Sequence, residues 1–475
     1  MMARILLLSI FGFLWFGGFA QNRFSDAVFE LLNKPEYKNA TVGIQVVALE
    51  SQKELYNLNA NKLLVPASTM KLVTTSTALN LLGSDYRFKT SIGYDGRIND
   101  KGELKGDLIV KGGADPALGS EYFQDHYFNF LQNWVKKIAE TGIKRISGDL
   151  VMDASVYDSE KIPATWIWED LGNYYGAGSD AFTVFDNLFR ITFRSPKKVG
   201  ELTKVIMTYP KIPGIEFNNE VVSSEVNRDN AYVFGSPLDK KRVIRGTIPA
   251  NRKAFTIKAS MPDPGSVLAN ELLGALAEAG IFLDGEVVFR KAGNHSVETI
   301  FVQLSPKLSD IVKVLNHESV NLFAEHLLKQ LAVEENGVGN REAGIDIVTN
   351  FWKSKGLETE NILMEDGSGL SHFNAVSPHF FTQLLTFMAN NKSFVESLPS
   401  PGNGTLSLFD KNLLPENCLQ AKSGSMTRVR CYAGYLLADS GEKLVFSIMF
   451  NHFHGSHSSL VKEIQQLLVS MKEDN

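Results

Sequence analysis

A serine followed three residues later by a lysine, Ser68 and Lys71, opens the apolar run "PASTMKLVTTSTALNLLG". On a helix this spacing puts both side chains on one face, with Cβ atoms about 5–6 Å apart. Serine is a poor nucleophile without an adjacent base. Lysine serves as that base only where burial or a neighbouring cation pulls its pKa down. The start of a helix is the positive end of its dipole, which disfavours an ammonium and favours an oxyanion. Lys71, in a run apolar enough to desolvate it, therefore suits Ser-Lys acyl transfer; the plain alternative is a helix start with a solvated lysine. The same spacing at Ser195–Lys198, Ser440–Lys443 and Ser459–Lys462 falls in turns or on a solvated helix face.

Two further groups add to it. "HESVNLFAEHLLK" carries Ser319 and Asn321 ahead of a helical pattern, and "LQAKSGSM" carries Lys422, Ser423 and Gly424 in an apolar strand. Alone, the first reads as a helix cap and the second as a strand end. A glycine inside a strand, however, often marks close approach of another backbone, and a lysine beside a hydroxyl suits a carboxylate. S-x-x-K, S-D-N and K-T-G are the signatures of penicillin-binding proteins and serine β-lactamases; here Ser423 stands for the usual threonine and keeps its hydroxyl. The chain carries them in that order as STMK, SVN and KSG.

The elements that must position these groups come from both ends of the chain. "RFSDAVFELLNK" has helical spacing, and "TVGIQVVALES" and "KELYNLNAN" read as strands around a polar turn. The apolar helix after Ser68 stops at Gly83, a suitable C-terminal cap. From about Tyr86 to Phe289 short strands alternate with turns around one clear helix, "SVLANELLGALAEAGI". Helices return after Lys291, followed by the strands "NCLQAKSGSM", "VRCYAGYLLAD" and "KLVFSIMF" and the terminal helix "SSLVKEIQQLLVSMKED". One architecture is an α/β domain built from both ends, its N-terminal strands joining the C-terminal ones, interrupted by a β-rich insertion. The other is a linear string of three domains.

The chain resembles the low-molecular-mass class C penicillin-binding proteins, the D-alanyl-D-alanine carboxypeptidase/endopeptidases of the peptidase S13 family. The landmarks that carry the resemblance are the three motifs together with "GDLIVKGGADPAL", "GDLVMDASVYD", "LGNYYGAGSDAFTVFDN", "DGSGLSHFNAVSP", "GNGTLSLF" and "AKSGSM…AGYLL". Ser68 and Ser319 lie more than half the chain apart, which favours the split architecture, as similar family members carry insertions between these motifs. The resemblance implies an α/β fold of the penicillin-binding/serine β-lactamase type, an antiparallel sheet flanked by helices. Residues 21–88 and 291–475 would form the catalytic domain, and 89–290 the β-rich insertion, as two nested subdomains.

It also implies roles. Ser68 attacks the carbonyl of a penultimate D-Ala and Lys71 takes its proton. Ser319 relays a proton to the leaving amine, while Asn321 holds the substrate amide and Lys71. Lys422 and Ser423 bind the terminal carboxylate, and Gly424 lets the substrate backbone lie along the strand. The N–H groups of Ser68 and Ser425 form the oxyanion hole. His372 stands where members commonly carry an arginine for a charged substrate side chain, and a neutral histidine weakens carboxylate recognition. Asp153 falls in a segment that in members can reach the site. The implied function is an exported serine DD-peptidase acting on peptidoglycan stem peptides, with cross-links as a further substrate and β-lactams as covalent inhibitors. The rivals are a β-lactamase or esterase on the same scaffold and a non-catalytic wall-binding protein.

With 475 residues, 44% hydrophobic and 21% charged, the chain has ordinary globular composition for two or three domains. A net charge of -5 and the lack of a Lys/Arg run give no reason for a nucleic-acid partner. Residues 1–20, "MMARILLLSIFGFLWFGGFA", carry Arg4, an apolar stretch from Ile5 to Phe16, and Gly18 and Ala20 ahead of a cut before Gln21. That is the pattern of a cleaved signal peptide, and it predicts a periplasmic or otherwise extracytoplasmic protein. No cysteine stands near the cut to take a lipid, and no later segment is apolar enough for a transmembrane anchor. Cys418 and Cys431 are either one disulfide or two buried thiols. No H-E-x-x-H or G-x-S-x-G is present. "NHFHGSH" gathers His452, His454 and His457 but lacks a local carboxylate or thiolate to complete a zinc set. The reading calls for no metal or organic cofactor.

Overall fold

The computed structural model describes residues 23–236, 239–292 and 297–475; the signal-peptide expectation lies outside them. The part built from both chain ends comprises α1 (Arg23–Leu32), β1 (Thr41–Ala48), β2 (Glu54–Leu58), α2 (Lys71–Leu81), α3 (Leu308–Glu318), α4 (Asn321–Asn336), α5 (Pro378–Met388), β3 (Leu419–Met426), β4 (Val429–Leu437), β5 (Lys443–Asn451) and α6 (His457–Asp474). The strands form one antiparallel sheet in the order β2-β1-β5-β4-β3. Its centre joins the two ends of the chain, with β1 paired to β5 from Thr41↔Asn451 to Ala48↔Leu444.

Both faces of this sheet are covered, so β5 is apolar at nearly every position. Side chains alternate across a strand. Ile448 and Phe450 meet Val28 and Leu31 of α1 and Ile464 and Leu468 of α6 on one side. Val445 and Met449 belong to the opposite core, with Val73 of α2 and Phe380 and Leu384 of α5. Every residue of α2 from Lys71 to Leu79 is buried. Thr75 and Thr77 satisfy their hydroxyls within the helix, Thr75 Oγ1 donating to Lys71 O at 2.7 Å and Thr77 Oγ1 to Val73 O at 2.8 Å. The helix can therefore lie in the core, and it carries Lys71 inward with it. Gly83 follows α2 in the left-handed conformation, at φ +86°, where glycine has no Cβ penalty.

The insertion leaves and returns as neighbouring strands. Lys89–Tyr94 pairs antiparallel with Glu298–Leu304, and the Ser305 N–H closes on the Phe88 carbonyl at 3.1 Å. The return strand thus runs to Leu304, past the expected limit at 290, because "ETIFVQL" completes the insertion's five-stranded sheet. A three-stranded and two four-stranded sheets complete it. The expected helix is present at Pro264–Glu278; a second, Phe130–Glu140, was not anticipated.

Cys418 and Cys431 are free, buried thiols in the two separate cores on opposite sides of the sheet, which rules out a bridge between them. Strand β5 ends at Asn451, and His452 and His454 lie in the turn beyond it. Among the described residues no three His, Cys, Asp or Glu side chains are grouped to hold a metal, and no helix is long and apolar enough to cross a membrane.

Candidate active site

Ser68 sits in a single 3-10 turn, Ala67–Met70, that runs into α2. The turn is fastened to the sheet by Asn451, whose Oδ1 accepts from Val65 N at 2.8 Å and whose Nδ2 donates to Val65 O at 3.1 Å. Two glycines let backbone close on it from either side. A Cβ on Gly369 would lie 1.9 Å from the Ala67 carbonyl oxygen, and one on Gly424 would lie 2.5 Å from the Pro66 oxygen and 3.1 Å from Ser68 N. At Gly424 the backbone that comes close is that of the nucleophile's own turn against β3.

Ser319 ends α3 in the left-handed conformation, at φ 59° and ψ 40°, and Asn321 begins α4. The break between these helices aims both side chains at Lys71 and Lys422. Lys71 Nζ lies 3.0 Å from Ser68 Oγ, 2.6 Å from Asn321 Oδ1 and 2.7 Å from the Ser368 carbonyl. Lys422 Nζ donates to Ser319 Oγ at 3.0 Å and to the Ser423 carbonyl at 2.7 Å. Three stretches far apart in the chain thus form two hydrogen-bonded sets, one around Lys71 and one around Lys422, which meet at the helix break that carries Ser319 and Asn321.

Burial pulls the Lys71 amine down to about 7, against the opposing charges of Asp366 and Glu325. Burial likewise lowers Lys422 well below an ordinary lysine, helped by the charges of Lys71 and Arg430. A neutral amine 3.0 Å from a hydroxyl can take its proton, and a desolvated lysine regains its charge when an anion arrives beside it.

These residues open on a groove of about 560 Å³. Ser68, Ser319, Asn321 and Ser425 line it, and so does His372, whose side chain is exposed. Asp153 does not: its Oδ1 accepts from Ser155 N at 2.9 Å and its Oδ2 from Ala292 N at 3.0 Å, at the end of an insertion strand. The insertion's acidic contribution to the groove comes instead from Glu169 and Asp170, beside Tyr174 and Tyr175. Burial, then the charge of Glu169, raises the Asp170 carboxyl to about 6 against a hydrogen bond from Tyr175. The insertion also grips the site from below. Tyr175 O accepts from Asn321 Nδ2 at 2.8 Å, and Trp166 Nε1 donates to Asp366 Oδ2 at 2.8 Å. Sequence reading missed Asp170, Tyr175, Trp166, Glu325 and Asp366. The only signals were the acidic pair in "WIWEDLGNYY" and single charges inside apolar or glycine-rich runs.

Residues 24–473 match the D-Ala-D-Ala carboxypeptidase 3 (S13) family. A D-alanyl-D-alanine carboxypeptidase of Actinomadura sp. (strain R39) is 29% identical over 443 residues, 90% of this chain and 80% of the relative. The crystal structure of penicillin binding protein 4 (dacB) from Haemophilus influenzae aligns with a TM-score of 0.80 at 25% identity, over 94% of this chain and 97% of that one. The same protein complexed with a β-lactam aligns at 0.77 and 23% identity, over 95% and 99%. With its family match spanning nearly the whole length, the chain belongs to the D-Ala-D-Ala carboxypeptidase 3 (S13) family.

Proposed function

We propose that this serine DD-peptidase works through an acyl-enzyme on Ser68. Ser68 Oγ attacks the carbonyl carbon of the penultimate D-Ala and passes its proton to Lys71 Nζ. The oxyanion is held by backbone N–H groups of Ser68 and Ser425. The C–N bond then breaks, and the departing amine takes a proton through Ser319. The Ser319 hydroxyl accepts from Lys422, so its own proton is free to be given. Water hydrolyses the ester and Ser68 regains its hydrogen. Lys422 and Ser423 receive the terminal carboxylate, which restores the charge that burial takes from Lys422.

The observation that carries this reading is the Lys71 amine, fully buried, held near neutrality and 3.0 Å from a hydroxyl that lines an open groove. A protein that only bound cell wall would have no use for it. The substrate is peptidoglycan stem peptide ending in D-Ala-D-Ala, with D-Ala cross-links as the larger alternative, and the enzyme acts outside the cytoplasm. β-Lactams acylate Ser68, as the motif set implies. The same reading divides the chain into a discontinuous catalytic domain and an insertion from 89 to 304.

Fluorescent penicillin followed over time on the wild type and Ser68→Ala, with release of D-Ala from a D-Ala-D-Ala peptide as second readout, tests it. A slowly decaying adduct that needs Ser68, together with D-Ala release, supports the proposal. Fast turnover of penicillin without peptide cleavage would make the protein a β-lactamase, and no adduct a binder.

A further inference from the structure

Behind the Ser68–Lys71 pair lie two buried carboxylates that the three motifs do not account for. Glu325, on α4 with Asn321, is 3% exposed and Asp366 is fully buried. Glu325 spends both oxygens on one stretch of backbone, with Oε2 accepting from Gly367 N at 3.1 Å and Oε1 from Ser368 N at 2.8 Å. Asp366 accepts from Gly369 N, Ser371 N and Asn374 Nδ2 at 2.7, 2.6 and 2.8 Å, and from the Trp166 indole of the insertion. The peptide they fix points both of its carbonyls at α2. Gly367 O accepts from Thr74 Oγ1 at 2.6 Å and Ser368 O from Lys71 Nζ at 2.7 Å.

A neutral amine has two N–H bonds and one lone pair. Of the three partners of Lys71, the Ser368 carbonyl can only accept. Asn321 presents Oδ1, because its Nδ2 is committed to the Tyr175 carbonyl. When these two acceptors take the two N–H bonds, the lone pair is left facing the Ser68 hydroxyl. Were the Ser368 carbonyl to swing away, an N–H could turn to Ser68 and the amine would donate where it must accept.

We propose that Glu325 is a positioning residue for the activation of Ser68: by gripping the Gly367 and Ser368 N–H groups it holds the Ser368 carbonyl that directs the Lys71 lone pair, and Trp166 braces the same loop from the insertion through Asp366. This rests on Lys71 acting as the base. The charged groups facing Lys71 are Glu325 from α4, Asp366 from the loop and Lys422 from β3, with Arg430 beside Lys422. Burial, then the charge of Asp366, raises the Glu325 carboxyl, against its hydrogen bonds from Ser368 and Gly367 and the charge of Lys71. Ionised Glu325 favours the ammonium. Removing that charge frees the amine at lower pH while loosening the peptide that aims it.

The test is the rate of acylation by fluorescent penicillin from pH 5 to 9 for the wild type, Glu325→Gln, Trp166→Phe and Lys71→Ala, each checked for a native melting transition. Glutamine keeps the shape but offers one acceptor oxygen in place of two. The expected result for Glu325→Gln is a maximal rate lower by about 10–10²-fold, the scale of a small misplacement at a reacting centre, with the acidic limb displaced to lower pH. Trp166→Phe takes a donor from the loop that carries Ser368; loosening the Ser368 carbonyl, an acceptor that favours the Lys71 ammonium, moves the limb the same way by less, and this variant carries the test should Glu325→Gln not fold. A folded variant with the wild-type rate and limb overturns the proposal, as does a slower rate with an unmoved limb, the mark of a purely structural role. Lys71→Ala separates the two readings. Acylation surviving in that variant sinks Lys71 as base, whereas its loss alongside an unaffected Glu325→Gln sinks only the role of Glu325.

Discussion

Lys71 and Asn321 are joined across 250 residues of sequence by a hydrogen bond of 2.6 Å, from Lys71 Nζ to Asn321 Oδ1. The amide is neutral, so it accepts from the amine without favouring its protonation as an anion would. Asn321→Asp puts a carboxylate in the same place. An opposite charge in contact typically shifts a pKa by about 1–3 units toward the charged form. The lysine, held near 7 by burial against Asp366 and Glu325, would then stay ammonium well above neutral pH. Acylation requires the amine, so the acidic limb of the rate profile moves to higher pH, and the rate at pH 7 falls by about 10-fold or more. The pH dependence of penicillin acylation measures it; a limb that stays where it is would show that Lys71 is not the group titrating.

Gly424 gives a prediction of a different kind, because its contact is backbone on backbone. In Gly424→Ala the new methyl would sit 2.5 Å from the Pro66 oxygen and 3.1 Å from Ser68 N, so either β3 or the Ser68 turn must move. Overpacking of this sort costs about 1–3 kcal/mol. A shift of the turn also spoils the 3.0 Å contact of Ser68 with Lys71. The expected outcome is a lower melting temperature together with acylation slowed by about 10²-fold. Wild-type acylation at a lowered melting temperature would mean that β3, not the nucleophile, gives way.

The parts of this protein that were legible in sequence are those in which short spacing reports local geometry. STMK, SVN and KSG mark a turn, a helix break and a strand, and the apolar β5 announces a strand covered on both faces. The reach of each motif across the fold was not visible in spacing and came from the order of the three. What stayed hidden was set by long-range partners. "ETIFVQL" reads equally well as either domain's strand until Lys89–Tyr94 is seen beside it. Asp153 and Asp170 are both acidic residues in strand-and-turn segments, and only folding turns one to backbone donors and the other to the groove. Glu325 looks like a solvated helix position, four residues after Asn321, until Gly367 and Ser368 close on it.

Among the described residues Lys422 is paired with Ser319 at 3.0 Å and otherwise only with its neighbour's carbonyl, and a carboxylate entering the groove would be the anion that meets its charge. Lys422→Met keeps length and apolar packing but removes the charge and the donor. Loss of a charge-assisted hydrogen bond is worth about 1.5–3 kcal/mol, or about 10–100-fold in kcat/KM. The loss should be confined to peptides with a free C-terminal carboxylate, an amidated peptide being poor for both enzymes. Equal losses on the free and amidated peptides would place Lys422 in proton supply to Ser319 instead.

Asp170 brings the insertion into substrate choice. Its carboxyl lines the groove, 8% exposed, and titrates at about 6 because it is buried beside Glu169. At neutral pH it is an anion in a groove that His372 also lines, suited to an ammonium on the substrate side chain. The wild-type enzyme should therefore cleave a stem peptide with a free side-chain amine faster than its N-acetylated counterpart. That preference is fully present above pH 6 and lost as the carboxyl takes up its proton below it. In Asp170→Asn the preference drops by about 10-fold at pH 7.5, the worth of one hydrogen bond to a charged group, and no longer varies with pH. The ratio of kcat/KM for the two peptides at pH 5 and pH 7.5 is the measurement. A preference that survives in Asp170→Asn with its pH dependence intact would assign cation recognition to Glu169 or Glu318, the remaining carboxylates on the groove.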